Sequence, residues 1–415
     1  MGKFYNIDPE TCSKEELENA IKACIRAEEI GNTQQLGAKT FINSCYGALA
    51  SAFYQCSNTQ IAESITLQGQ DLIKYSTRMV NEYFKEKWSS DIDVHNKIAK
   101  HMKSLHKDFN VENFLENAKT HLEIGDTLQR YGDTDSSYIT MQPIIDQCKI
   151  PLEYETDFVL ALNEFILDSY LDEKFNEYAK MFNCHKNLEK FELEKIARTL
   201  IMLAKKKYIM DISWKEPDVH VPELHSLVFK GIEIIQGSTP AFCRELMKEF
   251  ITFMLEKLNK GDKPSYDSII SKLKDMKNRF AMQSPNEISK SFGMNDYEKY
   301  ILDDKKDIVF TDAVTPMHVR AAAIYNNALF TRAKRYKSKY NIIKKGDKVK
   351  FYYTDKEGLE DVFAFLPNEF PIEFAPKMNI DKQFEKMVLE PMNRIIVACG
   401  YPSVSGSLMF SASLW

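Results

Sequence analysis

Apolar residues recur at helical spacing near the start of the chain. Ser13 and Glu16 have the three-residue separation of a capping box, which satisfies free N–H groups where a helix begins. The apolar residues that follow lie on one helical face: Leu17, Ile21, Cys24 and Ile25. We expect this helix to end near Gly31, because glycine is the common residue just beyond a helix C-terminus. A second helix is expected over residues 39–46.

Runs of β-prone residues predict two hairpins. Residues 128–131 and 137–141 flank a short polar segment, which is typical of an antiparallel pair joined by a tight turn. Residues 348–353 and 362–366 flank a turn at Glu357-Gly358 and predict a second hairpin. Strands are therefore expected in both the middle and the later part of the chain.

Another helix is predicted between the two hairpins. Thr239 is a suitable N-cap, and Pro240 is favourable at the first helical position. The apolar face of this helix is formed by Phe242, Leu246, Phe250 and Met254. Helices and antiparallel hairpins in separate regions, without an internal repeat, predict an α+β fold.

The turn of the first hairpin contains two acids. Asp133 and Asp135 lie within the string Tyr-Gly-Asp-Thr-Asp-Ser at residues 131–136. Two carboxylates this close repel each other unless a cation lies between them, and Mg²⁺ prefers such oxygen ligands. The pattern is typical of phosphoryl or nucleotidyl transfer assisted by two metals. An Asp-x-Asp alone also occurs as ordinary turn chemistry, so a second signal is needed.

The second signal is the string Lys-Thr-Phe-Ile-Asn-Ser-Cys-Tyr-Gly at residues 39–47. Its polar and small residues share one helical face: Lys39, Asn43, Tyr46 and Gly47. Lysine suits a triphosphate, asparagine can hydrogen-bond a sugar or phosphate, and a tyrosine ring can lie against a base pair. Glycine allows a base to approach the backbone closely. An ordinary amphipathic helix would explain Lys39 by itself.

A third signal is the run Lys205-Lys206-Lys207-Tyr208 after the apolar residues 200–204. A strand edge of this kind could present charge to a phosphate backbone and a ring to a sugar. Three consecutive lysines are also common on a solvated surface.

Together the strings resemble family B DNA polymerases and are similar to the replicative enzymes of T-even-type bacteriophages. Residues 131–136 match the metal-binding motif of that family, residues 39–47 match its K-x-x-x-N-S-x-Y-G fingers motif, and residues 206–208 match its K-x-Y motif. The likeness extends nearly end to end, through weaker matches at residues 32–36, 65–70, 231–240 and 316–320.

The resemblance implies a right-hand architecture with partial helical fingers, an antiparallel β palm with packed helices, and a mainly helical thumb. The implied ranges are fingers 1–48, palm 49–238 with a surface insertion near 86–120, thumb 239–406, and a tail 407–415.

The resemblance also implies a role for each matched residue. Asp133 and Asp135 would hold two Mg²⁺ ions, for which Mn²⁺ is a possible substitute, and Asp135 would be the more important ligand. Lys39 and Asn43 would bind the incoming deoxynucleoside triphosphate, and Tyr46 and Gly47 would shape the pocket for the new base pair. The primer-template DNA would be held by Lys205, Lys206, Lys207 and Tyr208.

Several family elements are not found in this sequence. No Asp-x-x-Ser-Leu-Tyr-Pro-Ser-like string occurs, and neither the basic residues of an earlier fingers helix nor the acids of a 3′–5′ exonuclease are recognisable. We therefore expect the chain to be the carboxy-terminal subunit of a split polymerase. Its expected partner is an amino-terminal chain with the other palm aspartate and an exonuclease. The apolar tail, residues 407–415, could bind a partner or fold back on the thumb, and the resemblance implies that the partner is a sliding clamp.

Composition adds few constraints. The chain has 415 residues, 44% of them apolar, which suits two or three domains with a real core. It contains no apolar run long enough to span a membrane, and its eight cysteines lack C-x-x-C spacing, so a cytoplasmic protein is expected, in the host cell if viral. The net charge is −5, but residues 332–350 hold nine basic residues against one acid, a plausible duplex contact or a solvated loop.

Two other functions fit parts of the pattern. One is a non-catalytic DNA-binding or assembly subunit of a replication complex, which would have no need of Asp133, Asp135 and Lys39 together. The other is an RNA-making or RNA-directed polymerase, whose palm also contains paired acids. Residues 43–47 favour the DNA enzyme.

Overall fold

A computed structural model describes residues 12–133, 136–295, 297, 301–304, 307–310 and 315–406 of the chain, with residues 301–304 and 307–310 described by their backbone pairing alone. Asp135 and the tail 407–415, both named in the sequence predictions, lie outside the described residues.

The elements before residue 150 are mostly helical. The helices are α1 (Lys14–Ala50), α2 (Thr59–Glu82), α3 (Ile92–Leu105), α4 (Val111–Ala118) and α5 (Gln142–Cys148). The strands are β1 (Gln129–Gly132) and β2 (Ser137–Ile139), which pair antiparallel as predicted.

The following elements alternate between sheet and helix. Their bounds are α6 (Glu155–Leu162), α7 (Asp168–Met181), β3 (Lys195–Ala204), β4 (Lys207–Lys215), β5 (Val219–His220), β6 (Leu227–Lys230), α8 (Ala241–Leu258), α9 (Tyr266–Ala281), α10 (Pro285–Ile288), β7 (Lys290–Gly293), β8 (Ile301–Asp304) and β9 (Asp307–Phe310). The last are α11 (Met317–Thr331), β10 (Lys348–Tyr353), β11 (Val362–Phe365), α12 (Ile380–Phe384) and α13 (Glu390–Ala398).

Packing divides the chain into two compact units, which consist of residues 1–149 with 164–191 and residues 150–163 with 192–415. Helices and antiparallel sheets occur together, in agreement with the α+β class. The fingers, palm and thumb ranges remain a prediction. None of the helices that the structure describes is long and apolar enough to cross a membrane.

In the first unit, α2 and α7 are joined through a tyrosine. The ring of Tyr178 lies 4.7 Å from that of Tyr75, and its hydroxyl donates to a carboxylate oxygen of Asp71 at 2.7 Å. Burial and this carboxylate raise the pKa of Tyr178 to about 12. Residues 86–120, predicted as a surface insertion, form α3 and α4 over an apolar core that includes the buried Trp88 and Phe114.

The second unit is built around one large apolar core. Helix α8 contributes the fully buried Leu246, Phe250 and Met254 of its predicted apolar face. The predicted hairpin of β10 and β11 is confirmed, and β10 also pairs with β7 in a three-stranded sheet. The start of α8 was predicted one residue too early, because Pro240 rather than Thr239 is the residue that precedes the helix.

The predicted helix end near Gly31 is wrong, because α1 is 37 residues long, ends only at Ala50 and includes the predicted second helix. The capping box of Ser13 and Glu16 is confirmed. Gly31 is not among the glycines with positive φ, so it does not adopt the left-handed conformation of a C-terminal cap. A single glycine inside a helix costs only about 1 kcal/mol relative to alanine, which a long helix tolerates.

Candidate functional site

The acidic hairpin is anchored on the end of α2. The Asn81 side chain accepts a hydrogen bond from the Leu128 N–H and donates one to the Thr127 hydroxyl, both at 2.9 Å. These bonds fix the residues that lead into β1. The role of Asn81 was not predicted from the sequence, where the available signal is a polar residue directly after the apolar Met79 and Val80.

The hairpin closes directly beyond Gly132. Gly132 pairs with Ser137, and the Asp133 N–H donates to the Ser136 carbonyl oxygen at 2.9 Å. The Gln129 amide crosses to the Ser137 hydroxyl at 2.8 Å. A Cβ atom on Gly132 would lie 2.9 Å from that Gln129 amide, so glycine leaves room for the cross-strand bond. Asp133 is thereby held in the tight turn between β1 and β2.

A carboxylate at this turn is chemically suited to Mg²⁺. Asp133 is half-buried and directly follows β1, and its N–H is hydrogen-bonded to the Ser136 carbonyl oxygen. A metal ligand needs a backbone that is held in place in this way. Among the described residues, no three His, Cys, Asp or Glu side chains come together as a metal site. Asp135 and the expected aspartate of a partner chain are outside that set, so the metal ligands remain a prediction.

The fingers-motif residues lie near the end of α1 and are exposed. Lys39, Asn43 and Gly47 face solvent, and no atom lies within 4 Å of the place a Cβ on Gly47 would occupy. Tyr46 is held, because its hydroxyl lies 2.7 Å from the Thr66 hydroxyl on α2. The continuous helix places the four residues along one face and leaves that face open.

The lysine run forms the turn between β3 and β4. Met202 pairs with Tyr208, and Lys206 adopts a left-handed φ of 62°. The side chains of Lys205, Lys206 and Lys207 are exposed. Tyr208 is only 7% exposed, so its ring is packed inside this chain rather than presented like the lysines. The four residues are adjacent, but the structure separates an exposed charge cluster from a buried ring.

Gly231 supports the lysine turn from the neighbouring strand. Its φ is +62°, and a Cβ there would collide with the Lys206 carbonyl oxygen and come within 3.0 Å of the Lys207 side chain. Gly231 follows β6, which pairs with β4 and so brings the two backbones together.

Replacing Gly231 with alanine is expected to lower the free energy of unfolding by roughly 1–3 kcal/mol, since the new side chain is strained and collides with backbone. Urea unfolding measures this loss. Gly237→Ala is the matched control, because no atom lies within 4 Å of its added Cβ. Equal stability of the two variants would contradict the supporting role of Gly231.

The basic segment 332–350 is mostly exposed, but three of its members make contacts with other parts of the chain. Tyr340 is buried and donates to a carboxylate oxygen of Glu373, which also pairs with Lys339. Lys350 donates to the Asn286 carbonyl oxygen at 2.5 Å, and burial lowers the pKa of its amine. The segment therefore presents exposed lysines and arginines to solvent, while Tyr340 is buried and holds the segment in place.

Comparison with known proteins identifies the family to which the chain belongs. The family model for DNA polymerase family B matches residues 12–150 and 171–361, well over half of the chain. The chain is 26% identical over 325 residues to the DNA-directed DNA polymerase of Enterobacteria phage T4. The matched region covers 75% of this chain and 31% of that protein. It is 25% identical over 256 residues to the DNA-directed DNA polymerase of Escherichia phage RB69, covering 59% of this chain and 24% of that protein.

A third relative also comes from a virus. The chain is 30% identical over 178 residues to a DNA polymerase of Choristoneura biennis entomopoxvirus, covering 42% of this chain and 16% of that protein. The chain spans less than a third of the length of each of these three relatives. The resemblance to the T-even-type enzymes is confirmed, and the chain belongs to DNA polymerase family B.

Proposed function

We propose that this chain takes part in template-directed DNA synthesis as the carboxy-terminal subunit of a split family B polymerase. The observation that supports this most strongly is the β1–β2 hairpin of a chain of this family, because the sequence that connects its two strands includes Asp133 and Asp135. The reaction is attack of a primer 3′-hydroxyl on a deoxynucleoside triphosphate with release of pyrophosphate. Primer extension by the wild-type assembly and by its Asp135→Asn variant is the direct test.

Asp133 and Asp135 would hold two Mg²⁺ ions together with an aspartate from the amino-terminal chain. When bound, such ions activate the attacking hydroxyl and neutralise charge on the phosphates. Asp133 would contribute its negative charge directly beyond β1, where its N–H donates to the Ser136 carbonyl oxygen.

The exposed face of α1 would receive the nucleotide. Lys39 would neutralise the triphosphate as a point charge, and Asn43 would hydrogen-bond the sugar or phosphate. Tyr46, tied to Thr66, would present a fixed ring to the nascent base pair, and the open space at Gly47 would admit the base. The exposure of all four residues in this chain leaves the whole face accessible to these ligands.

The lysine turn of β3 and β4 would contact the primer strand. Lys206→Ala is expected to weaken primer-template binding for every sequence and to reduce the slope of log affinity against log salt by about 0.9, as for one lost phosphate contact. Fluorescence anisotropy with a labelled duplex at several salt concentrations measures both quantities. Lys206→Arg keeps the charge and should keep the slope. An unchanged slope in the alanine variant would show that the turn is solvated surface without a phosphate contact.

Two further contacts belong to the same proposal. The basic segment 332–350 would lie along the duplex backbone, since its exposed cations suit phosphates. The tail 407–415 would bind a sliding clamp through its apolar residues, and deleting it should affect processive rather than distributive synthesis.

A further inference from the structure

Helices α3 and α4 form a groove that the proposed polymerase chemistry does not use. The groove is open to solvent and has a volume of about 460 Å³. Its lining combines apolar and cationic residues: Asn96, Ala99, Lys100, Lys103, Ser104, Val111 and Leu115. No acidic side chain is among them. An anionic ligand with an apolar part therefore matches this lining.

The cationic wall of the groove continues along α3 as a row of lysines. Lys97, Lys100 and Lys103 are each three residues apart, so successive members are displaced by about 4.5 Å along the helix axis. All three are exposed, and no ion pair among the described residues involves Lys97 or Lys100. Charges that remain unpaired at regular spacing suit a polymer with one negative charge per repeat.

The groove is built on a fixed frame. Lys103 donates to the carbonyl oxygens of Lys107 at 2.5 Å and Phe109 at 3.1 Å, which holds the loop between the two helices. Beneath the groove, Ile98, Met102 and Phe114 are buried and join α3 to α4. Helix α4 begins at Val111, so its positive N-terminal end adds to the potential at the groove.

We infer that this groove binds single-stranded nucleic acid, with phosphates at Lys97 and Lys100 and bases against the apolar floor. Ala99, Val111 and Leu115 provide that floor. A duplex encloses its bases and would place charged backbone against these apolar side chains, which costs free energy. An unpaired strand can turn its bases toward them instead. The proposed polymerase function identifies the strand as DNA, and this identification rests on that function.

The test measures binding by the full-length chain to a labelled oligothymidylate over a range of salt. Lys97→Glu with Lys100→Glu is expected to weaken binding about tenfold or more and to reduce the salt slope by about 1.4, since a single-strand phosphate contact contributes about 0.7. Lys180→Glu with Lys186→Glu is the matched control, because both residues are exposed in the same unit and the net charge changes equally. The control should bind as the wild type does.

Two further probes separate the ligand classes. An abasic strand of equal length should bind the wild-type chain more weakly than oligothymidylate, because the apolar floor loses its bases. Equal affinity for both strands, or displacement of oligothymidylate by polyglutamate at equal charge, would overturn the inference and favour an acidic protein partner. Unchanged binding by the double variant would also overturn it. Binding needs no catalysis, so inactive primer extension would count against the proposed function and not against this groove.

Discussion

The assembled polymerase should lose nearly all primer extension when Asp135 is replaced by asparagine. The amide has almost the same shape but lacks the negative charge that would hold both Mg²⁺ ions. Metal stabilisation of transition-state charge is worth several kcal/mol, which corresponds to a loss of about 10³-fold or more. Single-turnover nucleotide incorporation measures the loss, and anisotropy with primer-template DNA should show nearly unchanged binding.

Two further variants serve as a comparison and a control for the Asp135 variant. Asp133→Asn should reduce incorporation less, since Asp133 is expected to be the less important ligand. Asp126→Asn is the surface control, because Asp126 is exposed and precedes the same hairpin, and it should leave the rate unchanged. Normal turnover by the Asp135 variant would end the catalytic assignment and favour the alternative of a non-catalytic DNA-binding or assembly subunit.

Local sequence was sufficient to predict the hairpins. Residues 128–131 and 137–141 predicted the pair formed by β1 and β2, and the hairpin of β10 and β11 was predicted in the same way. Both depend on neighbouring residues and a short turn, so short-range propensities decide them. The sequence alone was therefore sufficient to place the acidic motif between the two strands of a hairpin.

Three features of the structure depend on packing and could not be predicted from the local sequence. Whether α1 stops at Gly31 depends on whether the backbone there adopts a left-handed turn, and the glycine alone does not fix this. The burial of Tyr208 depends on neighbouring strands distant in sequence. The apolar core beneath α3 and α4 is formed by apolar residues spread between Trp88 and Ala118. Polar residues predominate in the sequence between them.

Helix α1 presents an apolar face that the proposed partner chain could cover. Not one of its residues is buried, although it contains many large apolar side chains. Those at least 36% exposed are Leu17, Ile21, Ile25, Ile30, Leu36, Phe41, Ile42 and Tyr46. Leu17, Ile21 and Ile25 repeat every four residues and share one face of the helix. A continuous exposed apolar face of this kind is typical of an interface.

Alone, the chain should therefore self-associate and should not extend primers, because the apolar face is exposed and the proposed metal site would need an aspartate from the amino-terminal chain. Co-expression with a chain from the same source that contains the missing palm aspartate should give an equimolar complex that does extend primers. A permanent complex of this kind buries more than about 2,000 Å² of mainly apolar surface. Size-exclusion chromatography with light scattering measures assembly, and primer extension measures activity of each chain and of the complex.

Two variants of α1 test whether its apolar face forms the interface. Ile21→Asp with Ile25→Asp places two charges on that face, and both residues are already 51% exposed, so the fold of this chain should survive. We expect the double variant to lose the complex and its activity. Arg26→Asp changes the net charge equally from the opposite side of the helix and should assemble normally. A monodisperse single chain with full polymerase activity would refute the split, whereas normal assembly of the double variant would move the interface away from α1.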